Sequence, residues 1–271
     1  MARQPYTIDD LLRVMERLRD PDTGCPWDLR QDFHSIVPST LEECYELAEA
    51  IERGDYPHVA EELGDVLFQV IFYAQLGREQ ALFAFDTIVD TLVEKLVRRH
   101  PHVFAGGEIE GIVPARASVE DVKESWESIK EAERHAKSRP GVLADVPLAL
   151  PALPRAQKLQ RRAARVNFDW PEAGAVLSKL REEIDELEQA LAGEGPDAVR
   201  EEMGDLLFTC VNLARHLGLD AEGTLRQAST KFERRFRAME ALAGEAGGSL
   251  EGLDAEALEA LWGQVKAAPR Q

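Results

Sequence analysis

The sequence predicts an all-α protein made of two tandem, duplicated helical-bundle domains. Three observations support this: apolar residues recur with helical period, alternating strand patterns with turn dipeptides are absent, and two long segments of the chain resemble each other. The helical period is clearest in residues 177–191, where apolar side chains recur every three or four positions: Leu180, Ile184, Leu187 and Leu191.

The internal repeat defines the architecture. TLEECYEL at residues 40–47 matches LREEIDEL at residues 180–187, and residues 60–74 match residues 200–214, both at an offset of 140 positions. The segments between them are equally long, and each contains Gly followed by Pro, so each copy is predicted to form a helix–turn–helix hairpin. At an offset of 136 the match continues through three further pairs: Lys95 with Lys231, Arg99 with Arg235, and Trp126 with Trp262.

A proline-rich stretch separates the copies. Residues 139–154 contain four prolines, which interrupt helices, and this predicts a linker between an N-terminal domain at residues 1–138 and a C-terminal domain at residues 155–271. Capping patterns predict that helices begin at Ser118, with Asp121, and at Asp169, with Glu172. Thr40 with Glu43 fits the same pattern, so a capping role is an alternative for Glu43.

Composition excludes several classes of function. The chain has 32 Lys+Arg and 50 Asp+Glu, a net charge of −18, which argues against nucleic-acid binding and against a polybasic membrane surface. No stretch approaches the ~20 apolar residues that span a bilayer, and no signal peptide is visible. The three cysteines are scattered, which suggests a reducing, cytoplasmic setting.

Each copy carries two acidic motifs, EExxE and then EExxD. In the second copy Glu183 and Glu186 lie three positions apart on one helix face, and Glu202 and Asp205 do the same on the next helix. An antiparallel hairpin brings such pairs together, and carboxylates that converge repel one another unless a cation neutralises them. Mg²⁺ prefers oxygen ligands and shares its shell with phosphates, so we expect a magnesium site here, with Mn²⁺ as a substitute.

The alternative is that these glutamates are solvated helix surface or caps. The repeated spacing favours the metal. So does the nearly all-apolar helix after Asp65 and Asp205, which predicts that both acids open a buried helix. Basic residues fit a phosphate site: Lys179 is four positions before Glu183, and Lys231 and Arg235 are four apart. The alternative is that they form surface ion pairs with nearby glutamates. Trp262 is predicted either to stack on a base or to belong to the core.

Taken together, LEECYEL, EELGDVLFQVIFYAQ and RRHPHVF in the first half, with EEIDEL, EEMGDLLFTCVNLARHLG and KFERRFR in the second, resemble the MazG-type nucleoside triphosphate pyrophosphohydrolases of the all-α NTP pyrophosphatase superfamily. The resemblance covers nearly the whole chain. It implies that the protein binds nucleoside triphosphates and hydrolyses (d)NTPs to (d)NMP and pyrophosphate, mainly at the second copy. It also implies that the protein is a homodimer.

The resemblance also implies site residues. In the second copy it implies Glu183, Glu186, Glu202 and Asp205 as magnesium ligands, and Lys179, Lys231, Arg235 and Trp262 as nucleotide contacts. The first copy retains a possible second site: Glu43, Glu46, Glu62, Asp65, Lys95, Arg99 and Trp126, with Ser39 in place of Lys179.

Glu182 and Glu183 are both candidates for the base that activates water. Two other functions remain open at this point: a non-catalytic, cation-binding helical dimer or interaction protein, and a specialised dUTPase-like house-cleaning enzyme.

Overall fold

The computed structural model describes residues 4–113, 117–136, 141–144, 146–193 and 195–267, and in these residues the regular structure is helical. The all-α prediction is confirmed. The chain divides into two units, Met1–Glu133 and Arg134–Gln271. The helices are α1 Ile8–Leu18, α2 Val37–Arg53, α3 Tyr56–Glu79, α4 Phe85–Arg99, α5 Val119–Ala136, α6 Ala152–Ala164, α7 Ala173–Gly193, α8 Pro196–His216, α9 Ala221–Glu245 and α10 Ala255–Ala267.

Unit 1 is organised around the antiparallel hairpin of α2 and α3. Gly54 ends α2 with φ of 70°, a left-handed conformation that glycine adopts at little cost, and Asp55 caps α3 by accepting a hydrogen bond from the His58 backbone N–H. The core forms where α1 and the C-terminal half of α3 pack together: Met15, Ile36, Ile71, Phe72 and Leu76.

Unit 2 repeats the hairpin with α7 and α8. The turn contains Gly195, whose φ of 98° favours glycine, and Pro196 begins α8, where no helical N–H is needed. Helix α6 is held to its neighbours by two buried glutamines, since Gln160 donates to the Phe208 carbonyl and Gln157 to the Leu219 carbonyl, each at 2.8 Å.

The predicted helix starts had different outcomes. Ser118 and Asp121 form the expected capping box before α5. Thr40 lies within α2, where its hydroxyl bonds the Ile36 carbonyl, so the capping role offered as an alternative for Glu43 is wrong. The cap at Asp169 is also wrong: α7 begins four residues later, and the Asp169 carboxylate binds Arg215 and His216 of α8 instead.

The linker region contains a helix that the prolines did not predict. Helix α6 begins at Ala152, inside the expected linker, and Pro154 lies in its first turn, where backbone N–H groups have no helical partner to lose. Residues 137–140 and 145 lie outside the described residues. The boundaries predicted at 138 and 155 stay predictions.

The helix that contains each EExxD motif is partly exposed within the single chain. Asp65 and Asp205 lie well inside α3 and α8 and open neither helix, which corrects the prediction that they begin a buried helix. Leu67 is 39% exposed and Leu207 is 54% exposed. Among the described residues, no helix has both the length and the apolar content needed to cross a membrane.

Candidate active site

The C-terminal hairpin brings three of the four predicted metal ligands together. Glu183 and Glu186 project from one face of α7 toward α8, and Glu202 faces them from α8. One carboxylate oxygen of each lies within 4.8 Å of the other two. Glu183 is only 5% exposed, and a buried carboxylate requires a cation or several hydrogen bonds. The cluster is therefore a place of concentrated negative charge at the surface of the hairpin.

The fourth predicted ligand, Asp205, lies one turn further along α8 and is exposed, outside the group of three. It still contributes to the electrostatics of the cluster. Loss of hydration raises the pKa of Glu202, and the negative charges of Glu186, Asp205 and Glu183 raise it further. A cation at this position would relieve that repulsion.

Lys179 places a positive charge beside the carboxylates of the cluster. Its Nζ lies 2.7 Å from Glu182, 2.9 Å from Glu183 and 3.7 Å from Glu186. Hydrogen bonds to Glu182 and Glu183 raise the pKa of Lys179, so the ammonium is firmly protonated at neutral pH. Lys179 thus lies among the acids, on the same helix face as Glu183, and it forms ion pairs with both candidate bases, Glu182 and Glu183.

The remaining predicted nucleotide contacts form a second group on α9 and α10. The Arg235 guanidinium lies 5.8 Å from the centre of the Trp262 ring, and Phe232 packs on the same ring at 5.6 Å. Lys231 is exposed on α9. Among the described residues, Arg235 and Trp262 contact side chains of α9 and α10, and no hydrogen bond or ion pair joins them to the carboxylates of α7 and α8.

The N-terminal hairpin has an equivalent acidic cluster. Glu43, Glu46 and Glu62 place one oxygen each within 4.8 Å of one another, and Asp65 lies exposed nearby on α3. Burial raises the pKa of Glu43, and the charges of Asp65, Glu46 and Glu62 raise it further. The basic side chain here is His58, whose Nε2 lies 2.7 Å from a carboxylate oxygen of Glu62.

The basic residues of the first copy are differently engaged. Arg99 binds Glu133 through two hydrogen bonds, of 2.5 and 3.2 Å, and these bonds and the Arg98 charge lower the pKa of Glu133 to about 2. Trp126 meets the edge of the His100 ring at 5.0 Å, and Lys95 is half-buried on α4.

Sequence reasoning missed two of these partners. His58 is four positions before Glu62 on one helix, a spacing that predicts an ion pair and should have been noticed. Glu133 is 34 positions after Arg99, so no local pattern connects the two residues.

Comparison with known proteins matches both copies. The family model described as the MazG nucleotide pyrophosphohydrolase domain matches residues 31–104 and, again, residues 173–239. The first match contains the acidic cluster of unit 1, and the second contains Lys179, Lys231, Arg235 and the acidic cluster of unit 2.

Several relatives are similar over nearly the full length. A nucleoside triphosphate pyrophosphohydrolase of Escherichia coli (strain K12) is 49% identical over 263 residues, which cover 96% of this chain and 97% of the relative. A nucleoside triphosphate pyrophosphohydrolase/pyrophosphatase MazG of Thermotoga maritima is 42% identical over 98% of both chains. The crystal structure of a mazG-related protein from Thermotoga maritima aligns with 46% of this chain and 99% of its own, with 25% identity and a TM-score of 0.38.

Proposed function

Since the chain belongs to the MazG nucleotide pyrophosphohydrolase family, and is therefore a pyrophosphohydrolase, we propose that it hydrolyses (d)NTPs to (d)NMP and pyrophosphate with Mg²⁺. The bond cleaved is the anhydride between the α and β phosphorus. We assign the main site to the acidic cluster of α7 and α8. Family membership weighs against the non-catalytic, cation-binding alternative, and no contact among the described residues favours a dedicated dUTPase.

The convergence of Glu183, Glu186 and Glu202 within 4.8 Å carries this proposal. Mg²⁺ binds oxygens at about 2.1 Å, so ligands on opposite sides of one ion lie about 4.2 Å apart. Three carboxylate oxygens at this separation need only small side-chain adjustments to share an ion, and Asp205 lies one turn along α8 as a further ligand. Bound there, Mg²⁺ would supply a Lewis acid and a more acidic water.

The residues of the chain have distinct roles in this proposal. Glu182 or Glu183 accepts the proton of the attacking water, because Glu183 belongs to the cluster and Glu182 lies beside it, bonded to the same Lys179. Lys179 turns from these acids to the triphosphate, and Lys231 and Arg235 bind the departing pyrophosphate. Trp262, which lies against Arg235, contacts the same nucleotide.

A pair of matched substitutions tests the assignment. Glu202→Ala should lower the rate of AMP and pyrophosphate release from ATP by at least about 100-fold, because a metal ligand is lost from the main site. The equivalent change in the first copy, Glu62→Ala, should retain most of the activity. Chromatography of the products from ATP and from dUTP, with Mg²⁺ and with EDTA, is the measurement. Undiminished AMP release by Glu202→Ala, or ADP and phosphate as products, would refute the proposal.

We also propose a homodimer, on the basis of an exposed stripe that both copies share. On α8 the stripe consists of Met203, Leu207 and Cys210, and at the equivalent positions on α3 it consists of Leu63, Leu67 and Val70. Positions i, i+4 and i+7 lie on one helix face, and apolar residues exposed together in this way favour a protein partner. A second copy of the chain would bury both stripes.

Light scattering measures this directly. The wild type should have twice the 30.2 kDa mass of the chain, and Leu207→Glu should shift it toward the monomer because a charge is costly in an apolar interface. Leu148→Glu, at a leucine that is 83% exposed in the loop before α6, is the control. A monomeric wild type would contradict the dimer.

A further inference from the structure

Unit 2 contains a cavity of about 480 Å³ that the proposed chemistry does not use. It lies between α6, the segment that precedes α7, and α8. Its walls are mainly apolar, with Leu159 and Ala163 on one side and Phe168, Trp170 and Phe208 on the others. The volume is in the range of small-ligand pockets, and flat aromatic walls of this kind stack on nucleobases.

The aromatic wall is anchored to α8. Phe168 and Trp170 flank Asp169, whose carboxylate accepts hydrogen bonds from Arg215 and from His216, the latter at 3.1 Å. Both aromatic side chains are themselves exposed, by 81% for Phe168 and 41% for Trp170. The segment is therefore fixed in position while its rings remain uncovered, as in a site prepared for a flat ligand.

Two amides provide a polar edge inside this cavity. Gln160 is 5% exposed, and its Nε2 donates to the Phe208 carbonyl at 2.8 Å, while its Oε1 is buried without a hydrogen-bond partner. A buried acceptor without a donor is costly unless a ligand supplies one. Asn212 also lines the cavity, and since its Oδ1 accepts from Arg215 at 2.7 Å, its amide NH₂ is the group left to donate.

The cavity lies further along α8 than the acidic cluster, on the face that carries Asp205. Asp205, Phe208 and Asn212 are spaced i, i+3 and i+7, which places them on the same face over about 10 Å of helix axis. With about 100° of rotation per residue, Met203 and Leu207 lie on the opposite side, so a partner on the exposed stripe would leave this face open. The spacing suits a nucleotide whose phosphates lie at the carboxylates.

We propose that this cavity binds the nucleobase, and that it prefers bases with an amino group beside a ring nitrogen, adenine and cytosine, over their keto counterparts, hypoxanthine and uracil. The amino N–H donates to Gln160 Oε1, and the ring nitrogen accepts from the Asn212 amide. A keto base presents the reverse pattern and leaves both protein groups unsatisfied. This inference rests on the proposed function, because it places the base of the same substrate.

Calorimetric binding of AMP and IMP in the presence of Mg²⁺ tests the proposal without requiring turnover. The wild type should bind AMP roughly five- to tenfold more tightly than IMP, the effect of about one hydrogen bond in a closed site. Gln160→Met removes the acceptor at similar length and should bring the ratio below about twofold while IMP affinity is unchanged.

Gln157→Met is the matched control. Gln157 is equally buried on α6 and makes the same 2.8 Å bond to a backbone carbonyl, but it does not line the cavity, so this variant should keep the wild-type ratio. Equal binding of AMP and IMP by the wild type, or an unchanged ratio in Gln160→Met, overturns the proposal. A ratio of AMP to IMP affinity that is lost in Trp262→Ala and kept in Gln160→Met also overturns the proposal. Discrimination between AMP and IMP without pyrophosphate release from ATP would overturn the proposed function and leave the pocket standing.

Discussion

The two acidic clusters have the same carboxylates at equivalent positions and different basic side chains beside them. In the C-terminal copy Lys179 of α7 lies within 2.9 Å of Glu183. In the N-terminal copy the equivalent position is Ser39, and the basic side chain is His58 of α3, next to Glu62. A lysine is a point charge on a flexible stem that can turn toward a phosphate, whereas the imidazole is a shorter, rigid ring that already contacts Glu62.

The arginines that the repeat equates also differ in their partners. Arg99 is fixed by two hydrogen bonds to Glu133, whereas Arg235 lies against Trp262, with no carboxylate bound to it among the described residues. A guanidinium already paired with a carboxylate has less to gain from a phosphate. The duplication has thus kept the acids that would hold a metal, whereas Lys179 has no counterpart in the first copy and the equivalent arginines have different partners.

The largest expected effect follows from exchanging Lys179 and Ser39, the residues that differ beside the two acidic clusters. Lys179→Ser gives the second copy the residue of the first and should lower kcat/KM for ATP by about 100-fold, because a charged hydrogen-bond donor worth about 2–3 kcal/mol is lost. Ser39→Lys should leave that value within about twofold, since the main site is untouched. Steady-state kinetics of pyrophosphate release are the measurement. A larger loss in Ser39→Lys than in Lys179→Ser would reverse the assignment of the two copies.

An opposite change is expected in metal affinity. Lys179 neutralises part of the charge that would attract Mg²⁺, so Lys179→Ser should bind Mn²⁺ or Mg²⁺ about tenfold more tightly, the equivalent of about 1.4 kcal/mol, when no nucleotide is present. Titration calorimetry after removal of metal with EDTA measures this. A variant that loses activity and also binds metal more weakly would indicate that Lys179 supports the carboxylates instead of competing with the ion.

How far the sequence could predict these sites depended on the range of each interaction. The hairpins, the convergence of the acids and the position of Lys179 near Glu183 follow from helical spacing and from the repeat, because both act over short separations in the chain. The cap at Asp169 was predicted wrongly because Arg215, 46 positions later, binds the carboxylate. Apolar content alone also failed to predict which face of α3 and α8 would be uncovered, since that depends on what packs there.

The smallest expected effect concerns stability and tests whether Arg99 is held structurally. The pKa of Glu133 is lowered to about 2, so its bond to Arg99 contributes stability above pH ~4.5, the ordinary value for the free carboxyl, and loses it as the pH falls toward 2. Glu133→Ala should therefore cost about 1 kcal/mol of unfolding free energy at pH 7 and almost nothing near pH 2. Urea denaturation at several pH values measures the difference. Glu94→Ala is the control, because Glu94 is 71% exposed and, among the described residues, its ion pair is with Arg98, so the substitution should cost much less at any pH. A cost for Glu133→Ala that does not change with pH would mean that the residue acts through packing, and the contrast between Arg99 and Arg235 would then lose its electrostatic basis.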